Sequence, residues 1–246
     1  MAHPITLYTV GTPNGWKASI ALEELGLKYN VHHIQFSKME QKEEWFLKLN
    51  PNGRIPTIVD HSRNDFAVFE SGAILLYLAE HYDPEHKLLS ANPDIRSQTI
   101  QWIMWQMGGL GPMMGQANHF VRYAPEKIPY GMKRYTDESL RLLQVLERQL
   151  SDGREYIVGE YSMADIACFG WVACYSYPGL SLETCPHVEK WLFRVGSRDA
   201  VRRGVNVPTP STLIDDGFKM REKEAEEKAK EGQKWIQQSV KPAEPK

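Results

Sequence analysis

The chain has little of several things that usually narrow a protein's role. It holds only three cysteines, Cys168, Cys174 and Cys185, in 246 residues. Their spacing makes neither a Cys-x-x-Cys redox pair nor a zinc ribbon. An odd, scattered set of thiols fits a reducing compartment and predicts buried apolar side chains rather than a disulfide framework. No apolar run reaches the ~18 residues that a membrane-spanning helix needs. The opening Met-Ala-His-Pro lacks the basic and apolar regions of a secretory leader. The expectation is a cytoplasmic protein that does not contact membrane. Excess charge is also missing: 29 Lys and Arg face 31 Asp and Glu, a net charge of −2. Nucleic acid and anionic lipid therefore exert no global pull, and an anionic ligand has to be held by local groups. No repeat period is present, and no metal is expected.

What is present divides into two halves of different character. Ile5 to Val10 is a β-branched and aromatic run and predicts a strand. Thr12-Pro13 opens a helix, with Thr as cap and Pro at the first helical position, and Gly26 ends it. Tyr29 to Phe36 predicts a second strand and Glu43 to Leu49 a short helix stopped by Asn50-Pro51. Thr57 to Asp60 and Phe66 to Phe69 are two brief strands, and Ser71 to Tyr82 is a helix. After a polar linker, Tyr82 to Lys87, strand signals almost vanish. Arg96 to Gly108, Tyr130 to Leu150, Met163 to Tyr175 and Val188 to Arg194 predict helices. The result is an α/β unit (residues 1–86, order βαβαββα) followed by an all-helical unit (93–207). Residues 208–246 form a tail rich in Lys and Glu. Favourable i,i+4 pairs (Glu224 with Lys228, Glu226 with Lys230) predict a solvated helix over Phe218 to Trp235, and the last six residues are expected to be disordered.

Two segments of the first unit carry chemistry. In Asn50-Pro51-Asn52-Gly53-Arg54-Ile55-Pro56-Thr57, Pro56 stands without a backbone donor at a strand entrance. A cis Ile55–Pro56 bond explains it and leaves the N–H and C=O of Ile55 to pair with an extended peptide; an ordinary turn is the plain alternative. In Phe69-Glu70-Ser71-Gly72, Ser71 stands where a helix follows a strand. The N–H groups and dipole there attract an anion, and Glu70 beside it suits an ammonium. Simple capping by Ser71 uses the same donors.

Together these segments resemble the signature of the glutathione transferase family, and the resemblance runs to about Val207. It implies a thioredoxin-like first domain, an all-helical second domain and glutathione as co-substrate. By the same resemblance Ile55 pairs its backbone with the cysteinyl part of glutathione, while Glu70 and Ser71 hold the γ-glutamyl end. Gly11-Thr12-Pro13-Asn14-Gly15-Trp16 is similar to the Nu class of bacteria and to a related fungal class named after a nitrogen-catabolite regulator. In those classes Thr and Asn contact the thiol, which assigns Thr12 and Asn14 that role here; helix capping is the alternative. Tyr8 could serve as the catalytic Tyr of other classes, but its place inside a strand favours packing. No Cys stands in this loop. Gln41 is expected to meet the glycyl carboxylate, with Arg54 adding positive charge.

In the second unit, Gln106-Met107-Gly108-Gly109-Leu110-Gly111-Pro112 reads as a glycine break in a helix. With Asn118 and His119 it resembles the cleft lining of the Nu class, so Asn118 and Arg134 become candidates to reach glutathione, on the same chain or across a homodimer, and His119 a packing residue. Ser162 and Asp165 have capping-box spacing, with Tyr161 and Ile166 as a hydrophobic staple, and are assigned to folding. The function implied by the resemblance is transfer or disulfide reduction by a bound glutathione thiolate, with an electrophilic or disulfide small molecule as partner. The rival is a transferase-like regulator or ligand carrier with little catalysis. The first strand is expected to begin within a few residues of Met1, without the Asn-rich extension of the fungal regulator, while the charged tail keeps the rival open; a translation-factor subunit of this fold is a more distant one.

Overall fold

The computed structural model describes residues 4–220 and 222–239; the expectation for the last six residues falls outside them. Strand β1 (Ile5–Thr9), helix α1 (Pro13–Glu24), β2 (Tyr29–His33), α2 (Glu44–Leu49), β3 (Thr57–Asp60), β4 (Phe66–Phe69) and α3 (Ser71–Tyr82) follow in the expected order. β1 and α2 come one residue short of the sequence expectation, and β2 ends three residues early, at His33 rather than Phe36. The Glu40 carboxylate accepts from the N–H of Gln35 at 2.7 Å and contacts the His32 ring at 2.7 Å, which curls the chain into short 3₁₀ turns at Phe36–Lys38 and Glu40–Lys42.

The sheet order is β2-β1-β3-β4, with β1 parallel to β2 and the other two pairs antiparallel. Ile5, Leu7 and Thr9 of β1 are buried, while Thr6 and Tyr8 alternate to the other face, the period-2 pattern of a strand. β3 is buried throughout, as an inner strand should be. On one side α1 packs against α3 and against two helices of the second unit, α7 (Met163–Ala173) and α9 (Asp199–Val205). The polar linker is fixed by Asp83, whose carboxylate accepts from the N–H groups of Lys87 (2.9 Å) and Leu88 (2.8 Å).

The helical unit adds α4 (Pro93–Trp105), α5 (Gly111–Asn118), α6 (Pro129–Leu150) and α8 (Pro186–Gly196). Helix α4 starts at Pro93 rather than Arg96 because Asn92 caps it, accepting from Asp94 and Ile95. The run Gly108-Gly109-Leu110-Gly111 does not break the helix. The chain passes through a π-helical turn, Gln106–Leu110, straight into α5, and through a second, His119–Tyr123, at its end. A Cβ on Gly111 would lie 2.5 Å from Gln106 Nε2 and 3.1 Å from Trp171 Nε1, so this glycine serves close packing, not termination.

The charged tail forms α10 (Glu222–Ser239), with Glu224 paired to Lys228 at 2.9 Å, but it is not solvated all round. Ala225, Ala229 and Gly232 are buried, spaced as one helical stripe. Trp235 packs on Phe36 with ring centroids 4.4 Å apart and planes tilted by 36°, and Arg122 pairs with Glu222. The tail thus spans from the 3₁₀ turn of the first unit to the second π turn.

Candidate functional site

Register places the motifs together. Thr57, at the start of β3, pairs with Tyr8 near the end of β1 and with Phe69 at the end of β4. The segments that leave these positions, residues 10–14, 54–56 and 70–71, therefore converge at one end of the sheet.

At the first junction Thr12 is extended (φ −135°) and caps α1, its Oγ1 accepting from the Gly15 N–H at 3.2 Å. That bond uses a lone pair and leaves the hydroxyl hydrogen to donate elsewhere, so capping and ligand contact coexist. Asn14 Oδ1 accepts from Trp171 Nε1 at 2.9 Å. An indole N–H can only donate, so the oxygen must face it and the amide N–H₂ is turned the other way. Helix α7 comes this close because residue 170 has no side chain: a Cβ on Gly170 would lie 2.7 Å from the Pro13 carbonyl oxygen. Tyr8 is on the opposite sheet face, within 5.3–6.1 Å of the rings of His32, Trp45 and Phe46. Its phenol is held above the usual range by burial and by Asp65, the opposite of an activated phenolate.

The second junction has the cis Ile55–Pro56 peptide. The nearly buried Asn50 fixes this turn. Its Nδ2 donates to the Arg54 carbonyl (2.8 Å) and Thr57 Oγ1 (3.1 Å), and its Oδ1 accepts from Asn52 N–H (3.0 Å). Ile55 itself makes no backbone hydrogen bond among the described residues, so its N–H and C=O are open to a peptide. Arg54 is exposed, Gln41 is buried with an unpartnered Oε1, and Lys42 Nζ donates to the Asn52 carbonyl at 3.2 Å. Burial, then the neighbouring Arg54, lowers the Lys42 pKa, so two cations share this edge.

The third junction differs from the expectation of Ser71 as cap. Glu70 holds the cap position at φ +69°, in the left-handed region, and no side chain caps the helix. Strain of this kind at a non-glycine residue is a mark of functional sites. The first helical bond is Ile74 N–H to Glu70 C=O, so the N–H groups of Ser71, Gly72 and Ala73 are unfilled. Ser71 Oγ is buried and accepts from Lys17 Nζ at 3.1 Å.

The helical unit contributes unevenly. Asn118 lies on the α5 stripe of Gly111 and Gly115 that packs on Trp171, and its buried Oδ1 is unpartnered. Arg134 instead stands exposed on α6 beside Tyr130 and Lys133, in contact with none of the three junctions. His119 packs against Phe120, rings 5.3 Å apart. From sequence, Lys17 and Trp171 received no role, and Gln106 only a place in the cleft-lining run; the detectable signal for Lys17 was a lysine inside the apolar run Trp16 to Leu22. The thiols are all free, and burial raises each pKa, that of Cys174 to about 12. Among the described residues no cluster of His, Cys, Asp and Glu could hold a metal, and no helix is long and apolar enough to cross a membrane.

The chain matches the family described as "Glutathione S-transferase, N-terminal domain" over residues 3–80 and "Glutathione S-transferase, C-terminal domain" over residues 129–199. It is 44% identical over 201 residues to the "Disulfide-bond oxidoreductase YfcG" of Escherichia coli, covering 80% of this chain and 92% of that one. A glutathione transferase homologue from Lodderomyces elongisporus, solved with two GSH per subunit, superposes with TM-score 0.80 at 43% identity, covering 83% of this chain and 99% of that one. The glutathione transferase URE2P6 from Phanerochaete chrysosporium, solved with oxidised glutathione, superposes with TM-score 0.78 at 39% identity, covering 82% and 94%.

Proposed function

The chain belongs to the glutathione S-transferase family, and from that premise we propose that it holds glutathione across the three junctions and uses the thiolate to reduce small disulfides and to conjugate electrophiles. The γ-glutamyl carboxylate sits on the open N–H groups of α3, with its ammonium beside Glu70. The cysteinyl backbone pairs with Ile55, and the glycyl carboxylate lies toward Gln41, Lys42 and Arg54. The sulfur then lies at the start of α1, where the Asn14 N–H₂, the Thr12 hydroxyl and the helix terminus stabilise negative charge.

The observation that carries this reading is the Trp171–Asn14 bond, because it aims the amide donors of Asn14 away from the protein. The chemistry balances without a protein thiol. A glutathione thiolate attacks one sulfur of the disulfide and expels the other as thiolate; a second glutathione then attacks the mixed disulfide, giving oxidised glutathione and the second thiol. The cysteines, two buried and one half-buried, all with raised pKa values, take no part. The Lodderomyces neighbour, with two GSH per subunit, supports room for both molecules. A homodimer in the cytoplasm, serving detoxification, completes the proposal.

Asn14→Ala should reduce turnover of bis(2-hydroxyethyl) disulfide by about 10–100-fold, the worth of one hydrogen bond to a charged group. Turnover equal to wild type would remove Asn14 as the thiol anchor. Calorimetry should count two reduced glutathiones, or one oxidised, per chain.

A further inference from the structure

Lys17 is a buried charge that the reading above leaves without a task. It stands on α1 one turn beyond Asn14 and is wholly buried. Its ammonium donates to Ser71 Oγ at 3.1 Å and to Gln106 Oε1, and lies 3.4 Å from Met107 Sδ. None of these partners is a carboxylate. Burying an ammonium with only neutral acceptors is costly, and such an arrangement persists where an anion completes it.

The bond to Ser71 has a directional consequence. An ammonium has no lone pair, so Ser71 Oγ must accept from it, and the hydroxyl hydrogen is turned to another acceptor. Its one other contact is Met107 Sδ at 3.4 Å, a weak acceptor that a carboxylate would displace. Ser71 also opens α3, whose first N–H groups are unfilled. Ammonium, hydroxyl hydrogen and helix terminus thus present positive charge from three directions.

We propose that Lys17 is a positioning residue for the γ-glutamyl carboxylate of glutathione, locking the Ser71 hydroxyl as a donor and supplying the buried counter-charge. The proposal rests on the glutathione reading of the same site. It predicts a coupling between binding and protonation. Burial lowers the Lys17 pKa to about 7, against the opposing pull of negative charge from its neighbours, of which Glu70 at the head of α3 is charged at this pH and the Cys168 thiol on α7 is not. These are the titratable groups that face it; Cys168 is neutral at this pH, since burial raises its own pKa. An anion seated on α3 pulls the Lys17 pKa back up. Ligand binding above pH 7 therefore takes up a proton, and affinity is flat below pH 7 and falls above it.

The probe is S-methylglutathione, which has no ionisable thiol. Calorimetry at pH 8 in two buffers of different ionisation enthalpy should show wild type taking up close to one proton more than Lys17→Met. At pH 6.5 the variant should bind at least tenfold more weakly, with an affinity that no longer falls above pH 7. Equal proton uptake in both proteins, or equal affinity at pH 6.5, overturns the proposal. A measurement on the wild type covers a variant that does not fold: in ¹³C-lysine NMR, the resonance titrating near neutrality should move up by at least one pH unit on saturation. A midpoint that saturating ligand leaves in place overturns the proposal too. Binding without either signature removes Lys17 alone; no binding by wild type removes the glutathione reading with it.

Discussion

Replacing Asp165 by Ala should cost about 3 kcal/mol of stability at neutral pH while leaving glutathione affinity within about twofold, on the worth of stranded buried donors. The wholly buried Asp165 carboxylate accepts from the N–H of Ile157 (3.0 Å), the N–H (2.9 Å) and hydroxyl (3.2 Å) of Ser162, and Trp191 Nε1 (2.8 Å). The Ser162 hydroxyl can turn away; the other three donors are stranded, at about 1–3 kcal/mol each. Against this stands relief from a buried charge. Burial lifts the Asp165 pKa to about 6 from 3.8, although the hydrogen bonds pull it down, and two units or so of shift correspond to about 3 kcal/mol. The net lies near 3 kcal/mol, or roughly 6–12 °C in Tm for a chain of this size. The sign with pH follows from a folded pKa raised above the unfolded one. That contribution is fully present below the unfolded pKa and is lost as pH rises through 6, so the gap between wild type and Asp165→Ala should be about 2 kcal/mol wider at pH 4.5 than at pH 7. Denaturant titrations at both pH values, with calorimetric binding well below Tm, test all three statements. A Tm loss under 3 °C, or a tenfold loss of affinity at unchanged Tm, would refute the folding assignment.

Two further perturbations probe how the site is held. Gly15→Ala would place a Cβ 2.2 Å from the Val10 carbonyl oxygen and 2.5 Å from Thr9 Oγ1. Backbone has to shift, so a loss of about 1–3 kcal/mol in denaturant melts is expected, with turnover falling as Thr12 and Asn14 move. Trp235→Ala removes the ring packing on Phe36, worth about 0.5–1.5 kcal/mol beyond area burial. Faster amide exchange over residues 36–42 and a KM for glutathione raised about two- to tenfold should follow; unchanged exchange would make the tail helix a bystander.

How far the sequence discloses all this depends on where the information sits. Thr57–Asp60, Phe66–Phe69 and Ser71–Tyr82 are legible to the residue, because prolines, a polar turn and a helix start punctuate them locally. The cis proline and the helix start at Ser71 are legible for the same reason. Gly111 misleads, since it leaves room for Trp171, sixty residues away, and a window of sequence does not contain that partner. The tail misleads differently. Its Lys and Glu content dominates the reading, yet Ala225, Ala229 and Gly232 trace a stripe that a helical period would have found. Lys17 is hidden by a general expectation: lysines are surface residues unless something pairs them.

Trp171 offers the sharpest test of the link between the two units. The helical unit places a donor-only indole against Asn14, and glycines at 111, 115 and 170 let it approach. Trp171→Phe keeps most of the packing and removes only the N–H. The preference of the Asn14 amide for its outward-donating orientation then drops by the net worth of one hydrogen bond, about 0.5–1.5 kcal/mol. Disulfide turnover should fall roughly 3–10-fold on that basis, with Tm within about 3 °C of wild type. KM for glutathione should hold, because the contacts at α3 and Ile55 do not involve Trp171. If the indole acts only through Asn14, its effect must vanish in an Asn14→Ala background, a coupling that two independent sites would not show. Turnover losses that multiply in the double variant would mean that Trp171 touches the reaction by a route of its own, and the orientation argument for Asn14 would fall.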